Sequence, residues 1–196
     1  MQRRDFLALG FAPLFSPGYP AAASQVAKPM SLNARRGFFP NVPLVTHEGK
    51  RVRFYEDLIR DKTVLFNFFV VGCTEGRCPV GTGNLRQVQD LLGERMGRDI
   101  FFYSITLQPA ADTPTRLREY AEAFEVRPGW LFLTGTPTNV DFLRRSQGFV
   151  DPDPVRDRDP ANHSGMARYG SDRLERWAAV SVRSSPQNIA TAILTL

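Results

Sequence analysis

Apolar and polar positions along the chain follow two periods, one typical of strands and one typical of helices. Residues 42–54 alternate apolar with polar side chains on both sides of Glu48-Gly49, which predicts a β-hairpin. Residues 63–71 (TVLFNFFVV) and 100–107 (IFFYSITL) are almost continuously apolar, which is typical of strands buried on both faces. Residues 130–133 form a shorter run of the same kind. We expect 63–71 to be the central strand of a sheet.

Segments with helical spacing separate and follow these strands. Each longer segment starts beside a proline, which suits the first turn of a helix. These prolines are Pro79, Pro114, Pro137 and Pro186. Residues 55–60 can form one more short helical segment, and residues 166–169 and 177–182 predict a closing hairpin. Strands that alternate with helices and end in a hairpin predict an α/β fold, with a mixed central sheet flanked by helices and an N-terminal β-hairpin.

Length and composition are those of one globular domain. The chain has 196 residues, of which 42% are hydrophobic and 23% are charged, so it can bury a core and is not a disordered chain. No apolar run reaches the roughly 18 residues that a membrane-spanning helix needs. We therefore expect one domain over 42–196, preceded by a tether over 24–41, and no transmembrane span.

The first 23 residues have the features of an export signal. Arg3-Arg4 is a twin-arginine pair, a short apolar stretch follows over 6–15, and Ala21-Ala22-Ala23 offers small residues to a signal peptidase. Pro13 interrupts the stretch, which suits a removable signal better than a membrane anchor. We expect a Tat-type signal over 1–23, cleaved after the last of these alanines, and a mature protein in the periplasm. An uncleaved signal would keep the protein at the membrane.

The charge pattern argues against nucleic-acid binding. The formal net charge is +5, from 25 basic and 20 acidic residues. The two signs are interspersed, as in the run Arg-Asp-Arg-Asp over 156–159, so there is no basic stripe that could follow a phosphate backbone. We expect no nucleic-acid partner.

The two cysteines, Cys73 and Cys78, follow directly after the first continuous apolar run. Pro79 can occupy the first helical turn, which predicts that Cys78 is the N-cap and that Cys73 lies in the preceding loop. The positive end of a helix dipole and Arg77 stabilise a thiolate there, while Glu75 opposes it. A stabilised thiolate is a good leaving group in disulfide exchange and a soft ligand for Cu(I). In an oxidising compartment the pair can be a structural disulfide, a redox couple or a metal site, and all three alternatives stay open at this point.

Histidine and methionine offer few further ligands, since the chain has only two histidines. His163 lies in a long loop over 151–168 that is rich in Pro, Asp and Arg, and loops of that length are usually functional or mobile. A single loop histidine is most often only solvated. His47 lies in the first hairpin turn and has no expected role, and Met166 is expected in the core, with a thioether ligand as a lesser role.

Several segments of the sequence form a combined pattern. They are the hairpin 44–54 with Gly49-Lys50, the strand into Cys73 and Cys78-Pro79 followed by Asn84-Leu85, Asp112-Thr113-Pro114 with Leu117, Glu119-Tyr120 and Phe124, the segment 133–137 (LTGTP), and His163-Ser164. Together these segments resemble the Sco/SenC family of thioredoxin-fold copper proteins. The resemblance covers nearly the whole of 42–196 and implies a thioredoxin-like fold.

The resemblance implies one copper ion, Cu(I) or Cu(II), held by Cys73, Cys78 and His163. It also implies a metallochaperone that helps to assemble a respiratory copper site, that of cytochrome c oxidase. The implied partners are the copper subunit of the oxidase or another copper client protein, and a thiol reductant protein. Oxidation of the cysteine pair to a disulfide would abolish the site, so copper binding and redox state are coupled. We expect a monomer.

The chain resembles a divergent member of the family, with an unusual insertion rich in Asp, Arg and Pro before His163 and three further departures. Four residues separate Cys73 from Cys78 where the family has three, Gln108-Pro109 replaces an Asp-Pro, and Asn162 replaces an Asp before His163.

Two other functions stay open. One is a copper-independent thiol–disulfide oxidoreductase, in which one cysteine attacks a client disulfide and the other resolves it. The other is a redoxin-like module with an inert disulfide, so whether the protein is an enzyme is left open.

Overall fold

The computed structural model describes residues 38–73, 77–162 and 165–196. The strands in these ranges are β1 (Pro43–Thr46), β2 (Arg51–Arg53), β3 (Thr63–Phe69), β4 (Ile100–Thr106), β5 (Trp130–Thr134), β6 (Met166–Ser171) and β7 (Arg176–Ser181). The α-helices are α1 (Arg77–Leu92), α2 (Pro114–Ala123), α3 (Pro137–Ser146), α4 (Pro154–Asp157) and α5 (Pro186–Leu194). A π-helical turn (Phe54–Ile59) and two 3-10 turns (Gly93–Arg95 and Pro160–Asn162) lie between them.

The strands make one mixed sheet in the order β2-β1-β5-β4-β3-β6-β7. β3, β4 and β5 are parallel, and antiparallel hairpins extend the sheet at both edges. This arrangement confirms the predicted α/β fold with a mixed central sheet and an N-terminal hairpin. The expectation that 63–71 is the central strand was wrong, because β4 occupies the middle. β3 lies beside it and pairs with β4 on one side and β6 on the other.

Each face of the sheet carries its own hydrophobic core. Val64, Phe66 and Phe68 of β3 belong to one core, and Leu65 and Phe69 belong to the other, because successive side chains of a strand point to opposite faces. Helices α1, α2 and α5 cover the face of Leu65 and Phe69, and the π-helical turn and α3 cover the opposite face. A strand covered on both sides has no polar face, which explains the continuous apolar run.

The helix starts follow the prolines seen in the sequence. In α2, α3 and α5 a hydroxyl N-cap accepts a backbone N–H from three residues further on, and proline follows the cap. The cap of α2 is Thr113, so the preceding Asp112 does not cap this helix. Helix α1 begins at Arg77, so Cys78 is its second residue rather than its N-cap.

The carboxyl ends of β3 and β4 and the start of β6 meet at one edge of the sheet, here called the thiol edge. The antiparallel pairing of Asn67 with Ala167 places the start of β6 beside the carboxyl end of β3. Cys73 follows the last residue of β3, Phe69, by four positions. The fold thus places the cysteine loop next to the point where the chain enters β6.

Three expectations fall outside the described residues. They are the export signal over 1–23, the tether up to residue 37, and His163. Within the described ranges, no helix is both long enough and apolar enough to cross a membrane.

Candidate metal and thiol site

Cys73 and Cys78 lie at the thiol edge, where the chain passes from β3 into α1. Cys78 is 4% exposed and packs in the core that contains Phe69, and the half-buried Cys73 packs against the same core. The backbone N–H of Val70 donates to Sγ of Cys78 at 3.4 Å. Both cysteines are present as thiols. Cys73 is therefore the thiol that a ligand or a client disulfide can reach first.

The hydroxyl of Tyr120 marks the point where α1, α2 and the cysteine loop meet. It lies 3.0 Å from Oγ1 of Thr82 in α1. The pKa of Tyr120 is raised to about 12, mainly by burial. The hydrogen bond to Thr82 lowers this pKa, whereas negative charge on Cys78, Cys73 and Asp112 raises it. The phenol is therefore neutral at physiological pH and is a hydrogen-bonding group close to both cysteines and to a carboxylate.

His163, the third residue that the resemblance implies for the site, lies outside the described residues. The chain after it can be located, because the carbonyl of Gly165 accepts the N–H of Val182 at 3.0 Å. Val182 packs closely on α1, since a Cβ at Gly81 would lie 2.6 Å from its Cγ2 atom. Gly81 follows Cys78 by three residues. The chain therefore returns, two residues after position 163, against the first turns of the helix that carries Cys78.

A cavity of about 530 Å³ opens at the thiol edge, on the face of the sheet opposite Cys78. Its apolar lining comes from Phe68, Leu107 and Phe149. Charged residues of α3 and of the segment 150–162 form its walls, and Asn162 is among the lining residues. The cavity thus borders the segment of chain that leads to position 163.

An ion-pair cluster of Arg144, Arg145 and Asp157, here called the Asp157 cluster, holds this segment on α3. The carboxylate of Asp157 is 2.5 Å from Nη1 of Arg144 and 2.7 Å from Nη2 of Arg145, and it also accepts the backbone N–H of Asp151 at 2.9 Å. The hydrogen bond from Arg144, followed by the one from Asp151, holds the pKa of Asp157 well below its usual range. The sequence predicts one long loop over 151–168, and the structure instead has a short helix, α4, that this cluster anchors.

His47 lies away from the thiol edge, whereas Met166 lies at this edge, at the start of β6. Nδ1 of His47 accepts the backbone N–H of Phe132 at 3.1 Å, and burial lowers the pKa of His47. Strand β1, which His47 follows, is three strand spacings from β3 in the sheet, or about 14 Å. Met166 is the first residue of β6 and pairs with Ser181. His47 thus serves as a hydrogen-bond acceptor between two strands, away from the cysteines.

The described residues supply two soft donors, the thiols of Cys73 and Cys78. No group of three His, Cys, Asp or Glu side chains that could hold a metal ion occurs within 38–73, 77–162 and 165–196. Thiolates are the ligands that Cu(I) prefers, so the two cysteines fit copper better than they fit a hard cation such as Mg²⁺. Within the described ranges, no His, Asp or Glu side chain joins the two thiols in such a group.

Asp112 and Tyr120 enter the sequence argument only among the residues that carry the family resemblance, with no role at the site. A signal for Asp112 was available, because in Asp112-Thr113-Pro114 the residue directly before a first-turn proline is the cap, which leaves Asp112 free for another role. No pattern in the sequence indicates that the hydroxyls of Tyr120 and Thr82 meet.

Comparisons with known proteins agree with this fold. The structure of Bradyrhizobium japonicum ScoI with copper bound is 21% identical, covers 78% of this chain and 95% of its own, and has a TM-score of 0.63. Yeast Sco1 with copper bound is 21% identical, with 78% and 87% covered and a TM-score of 0.61. BsSco, described as having a disulfide switch and as a member of the Sco family of cytochrome c oxidase assembly proteins, is 17% identical, with 79% and 90% covered and a TM-score of 0.63. At these identities the likeness shows the fold alone, which is the expected thioredoxin-like fold.

Among curated proteins, none matches the chain. The family model described as SCO1/SenC matches residues 38–167. This range runs from the start of the described chain through the cysteine loop into β6, so it includes Cys73, Cys78 and position 163. The resemblance seen in the sequence is confirmed, and the chain belongs to the SCO1/SenC family.

Proposed function

We propose that this protein binds one copper ion as cargo through Cys73, Cys78 and His163. It passes the ion to a copper protein during assembly of a respiratory copper site, and the client we propose is the copper subunit of cytochrome c oxidase. Family membership supports this function, since relatives have been solved with copper bound and one is described as a cytochrome c oxidase assembly protein. The observation that carries the proposal is that both thiols pack in one hydrophobic core with Val182, whose N–H donates to the carbonyl of Gly165.

The two thiols have different exposure, which suggests different parts in cargo transfer. Cys73 is half-buried in a loop, and Cys78 is 4% exposed in the first turn of α1. A donor or client protein therefore meets Cys73 first, while the helix holds Cys78 in place. Both thiols must lose their protons to bind a metal ion, so affinity should rise with pH.

Chain connectivity supports His163 as the third ligand. Two residues of extended chain span at most about 7 Å, which limits how far position 163 can be from Gly165. Gly165 is bonded to Val182, and Val182 packs on Gly81, one helical turn beyond Cys78. Gly165, two residues after His163 in the sequence, is thus close to the helix that carries Cys78, whereas His47 is several strands away.

Titration of the reduced protein with Cu(I), against a chromophoric competitor, tests the proposal. We expect one tightly held ion per chain. Cys73→Ser, Cys78→Ser and His163→Ala should each weaken binding by at least about 100-fold, because even outer-shell changes at metal sites cost 10–100-fold.

The matched control is the other histidine. His47→Asn keeps an acceptor for the N–H of Phe132, so it should preserve the fold and leave copper affinity unchanged. Retention of full affinity by the Cys73→Ser, Cys78→Ser double variant, or equal effects of the two histidine variants, would contradict the proposed ligand set.

A second candidate is a thiol–disulfide oxidoreductase, which the unequal exposure of the cysteines favours. The thiolate of Cys73 would attack a client disulfide, form a mixed disulfide and release one client thiolate. Cys78 would then attack the sulfur of Cys73 and release the second client thiolate, which leaves a Cys73–Cys78 disulfide and a client reduced by two electrons. A dithiol reductant protein must then reduce the pair again.

The two functions separate in their need for His163. Disulfide reduction that proceeds at the same rate in His163→Ala as in the wild type, without added copper, would favour the oxidoreductase. The chaperone would be favoured if His163→Ala lost copper binding and the copper-free wild type reduced disulfides only weakly.

We also propose that residues 1–23 direct export by the Tat route and that the mature protein works in the periplasm. The twin-arginine pair supports this address. Expression of the full chain, and of a variant with Arg3 and Arg4 changed to Lys, followed by cell fractionation, tests it. We expect the variant to stay in the cytoplasm, and export of both forms alike would rule out the Tat route.

A further inference from the structure

A buried carboxylate, Asp112, lies beside the cysteine loop. Its side chain is 0% exposed, although it comes from the loop between β4 and α2. Oδ2 accepts the hydroxyl of Thr106 in a short hydrogen bond and the backbone N–H of Val71 in a long one of 3.4 Å. Burial of a carboxylate costs folding free energy unless hydrogen bonds and a nearby cation replace the lost water. The partners of Asp112 therefore show what its burial achieves.

The partners of Asp112 fix the path of the chain as it leaves β3. Two consecutive backbone amides are used here, with Val70 donating to Sγ of Cys78 and Val71 donating to Oδ2 of Asp112. Cys73 follows Val71 by two residues. The carboxylate therefore holds the start of the loop that carries Cys73, while Cys78 holds the residue before it.

Arg116 completes this arrangement from the first turns of α2. Its Nη1 atom lies 3.5 Å from Oδ1 of Asp112, and its Nη2 atom lies 3.4 Å from where a Cβ on Gly72 would be. In the described part of the chain Oδ1 accepts no hydrogen bond, so the nearby guanidinium compensates for its charge. Asp112 thus connects β4, α2 and the two residues before Cys73.

We propose that Asp112 is a positioning residue, which holds Cys73 where it can act together with Cys78. The inference deepens the proposed function and rests on it only in assigning the two cysteines to one site. Without the carboxylate, Val71 loses its acceptor and Arg116 loses its anchor, so Cys73 spends less time near Cys78. The pair then forms a disulfide less readily and binds a shared metal ion less tightly.

The test is the equilibrium between the Cys73–Cys78 disulfide and glutathione at pH 7, measured without copper. For Asp112→Ala we expect the equilibrium constant for disulfide formation to fall at least tenfold, which corresponds to about 30 mV for this two-electron couple. Asp112→Asn keeps an oxygen that can accept from both Val71 and Thr106, so it should stay within twofold of the wild type. If only the charge of Asp112 mattered, Asp112→Asn would lower the equilibrium constant as much as Asp112→Ala. That result would overturn a positioning role.

Asp172 provides the matched control. It is also a buried aspartate that accepts a loop N–H, that of Asp61, but it lies beyond the end of β6, away from the thiol edge. Asp172→Ala should lower stability without moving the glutathione equilibrium by more than twofold. An equal shift in Asp172→Ala and Asp112→Ala would mean that general loosening of the fold is responsible, and the inference would fail.

A second pair of variants tests the same idea without changing any charge. Thr106→Val removes the hydroxyl that donates to Asp112, so it should lower the equilibrium constant for disulfide formation about threefold. Thr106→Ser keeps this hydroxyl, so its equilibrium constant should match that of the wild type. If Asp112→Ala does not fold, this pair decides, and an unchanged constant in Thr106→Val overturns the inference.

Copper binding separates this inference from the proposed function. A wild type that binds no Cu(I) refutes the chaperone, while the glutathione equilibrium still measures the role of Asp112. A wild type that binds copper, together with an Asp112→Ala variant of unchanged disulfide equilibrium, refutes the role of Asp112 alone.

Discussion

The Asp157 cluster determines how firmly the segment that leads to His163 is held. Asp157→Asn removes the negative charge between Arg144 and Arg145 and keeps the size of the side chain. The inner pair is largely buried, with Arg144 11% and Asp157 4% exposed, and removal of one partner of a buried pair costs about 3–5 kcal/mol. Asn retains one acceptor and Arg144 retains Asp141 as a partner, so we expect a loss of about 2–3 kcal/mol in the free energy of unfolding at pH 7.

The effect of Asp157→Asn on the free energy of unfolding should depend on pH, because the pKa of Asp157 differs between the folded and unfolded states. The pKa of Asp157 is lowered in the folded protein, chiefly by the hydrogen bond from Arg144. A carboxyl with a lowered folded pKa stabilises the protein above its unfolded pKa, about 3.9, and this stabilisation is lost as pH falls from there toward the folded pKa. The difference between wild type and Asp157→Asn should therefore be constant from pH 7 to about 5 and about 1 kcal/mol smaller at pH 3.

Urea unfolding at pH 7 and pH 3 measures both differences. Asp141→Asn is the matched control, because its carboxylate contacts the same two arginines but is 53% exposed, and exposed pairs contribute at most about 1 kcal/mol. Copper titration of both variants adds the functional result, since only Asp157→Asn should loosen the chain before His163 and weaken Cu(I) binding. Equal destabilisation by the two variants at pH 7, or a difference that grows toward pH 3, would refute the reasoning.

Three further predictions concern single positions. Tyr120→Phe removes the hydroxyl that meets α1 and should cost about 1 kcal/mol in urea unfolding, with no loss at all contradicting the contact. Gly129→Ala should cost at least about 3 kcal/mol, because Gly129 has φ +93° and a Cβ would lie 2.3 Å from the nitrogen of Gly97, whereas Gly83→Ala, in open space on α1, should be neutral or stabilising. Protonation of His47 is disfavoured by burial, so its contribution to stability is present above its unfolded pKa, about 6.5, and is lost below it. A pH titration of stability should show this loss in the wild type and not in His47→Asn.

The strands could be predicted from the sequence, because a strand covered on both faces leaves a continuous apolar run. The same run does not say which strand lies in the middle. Both faces of β3 would be covered whether it were the fourth, middle strand or the fifth, and only its pairing with β4 and β6 fixes its place. Side-chain periodicity reports burial on each face, whereas strand order depends on contacts between residues far apart in the sequence.

The position of the cysteines could also be predicted, since a strand followed by a proline-started helix is a local pattern. Asp112 could not be assigned in the same way. Its burial depends on Thr106, Val71 and Arg116, which approach it from three different elements. An aspartate before Thr-Pro is ordinary in a helix cap, and only the tertiary structure shows that Thr113 alone caps and that Asp112 turns toward the cysteine loop.

The anchors of the two thiols also bear on the longer spacing between them. Four residues separate Cys73 from Cys78, one more than the family pattern has. Cys78 is fixed by α1 and by the N–H of Val70, and the chain before Cys73 is fixed by Asp112 through the N–H of Val71. None of these contacts depends on the number of residues between the cysteines, so the added residue leaves both anchors intact. The added residue thus lies between two anchored ends, and the Cu(I) titration of the wild type decides whether the pair can still share one ion.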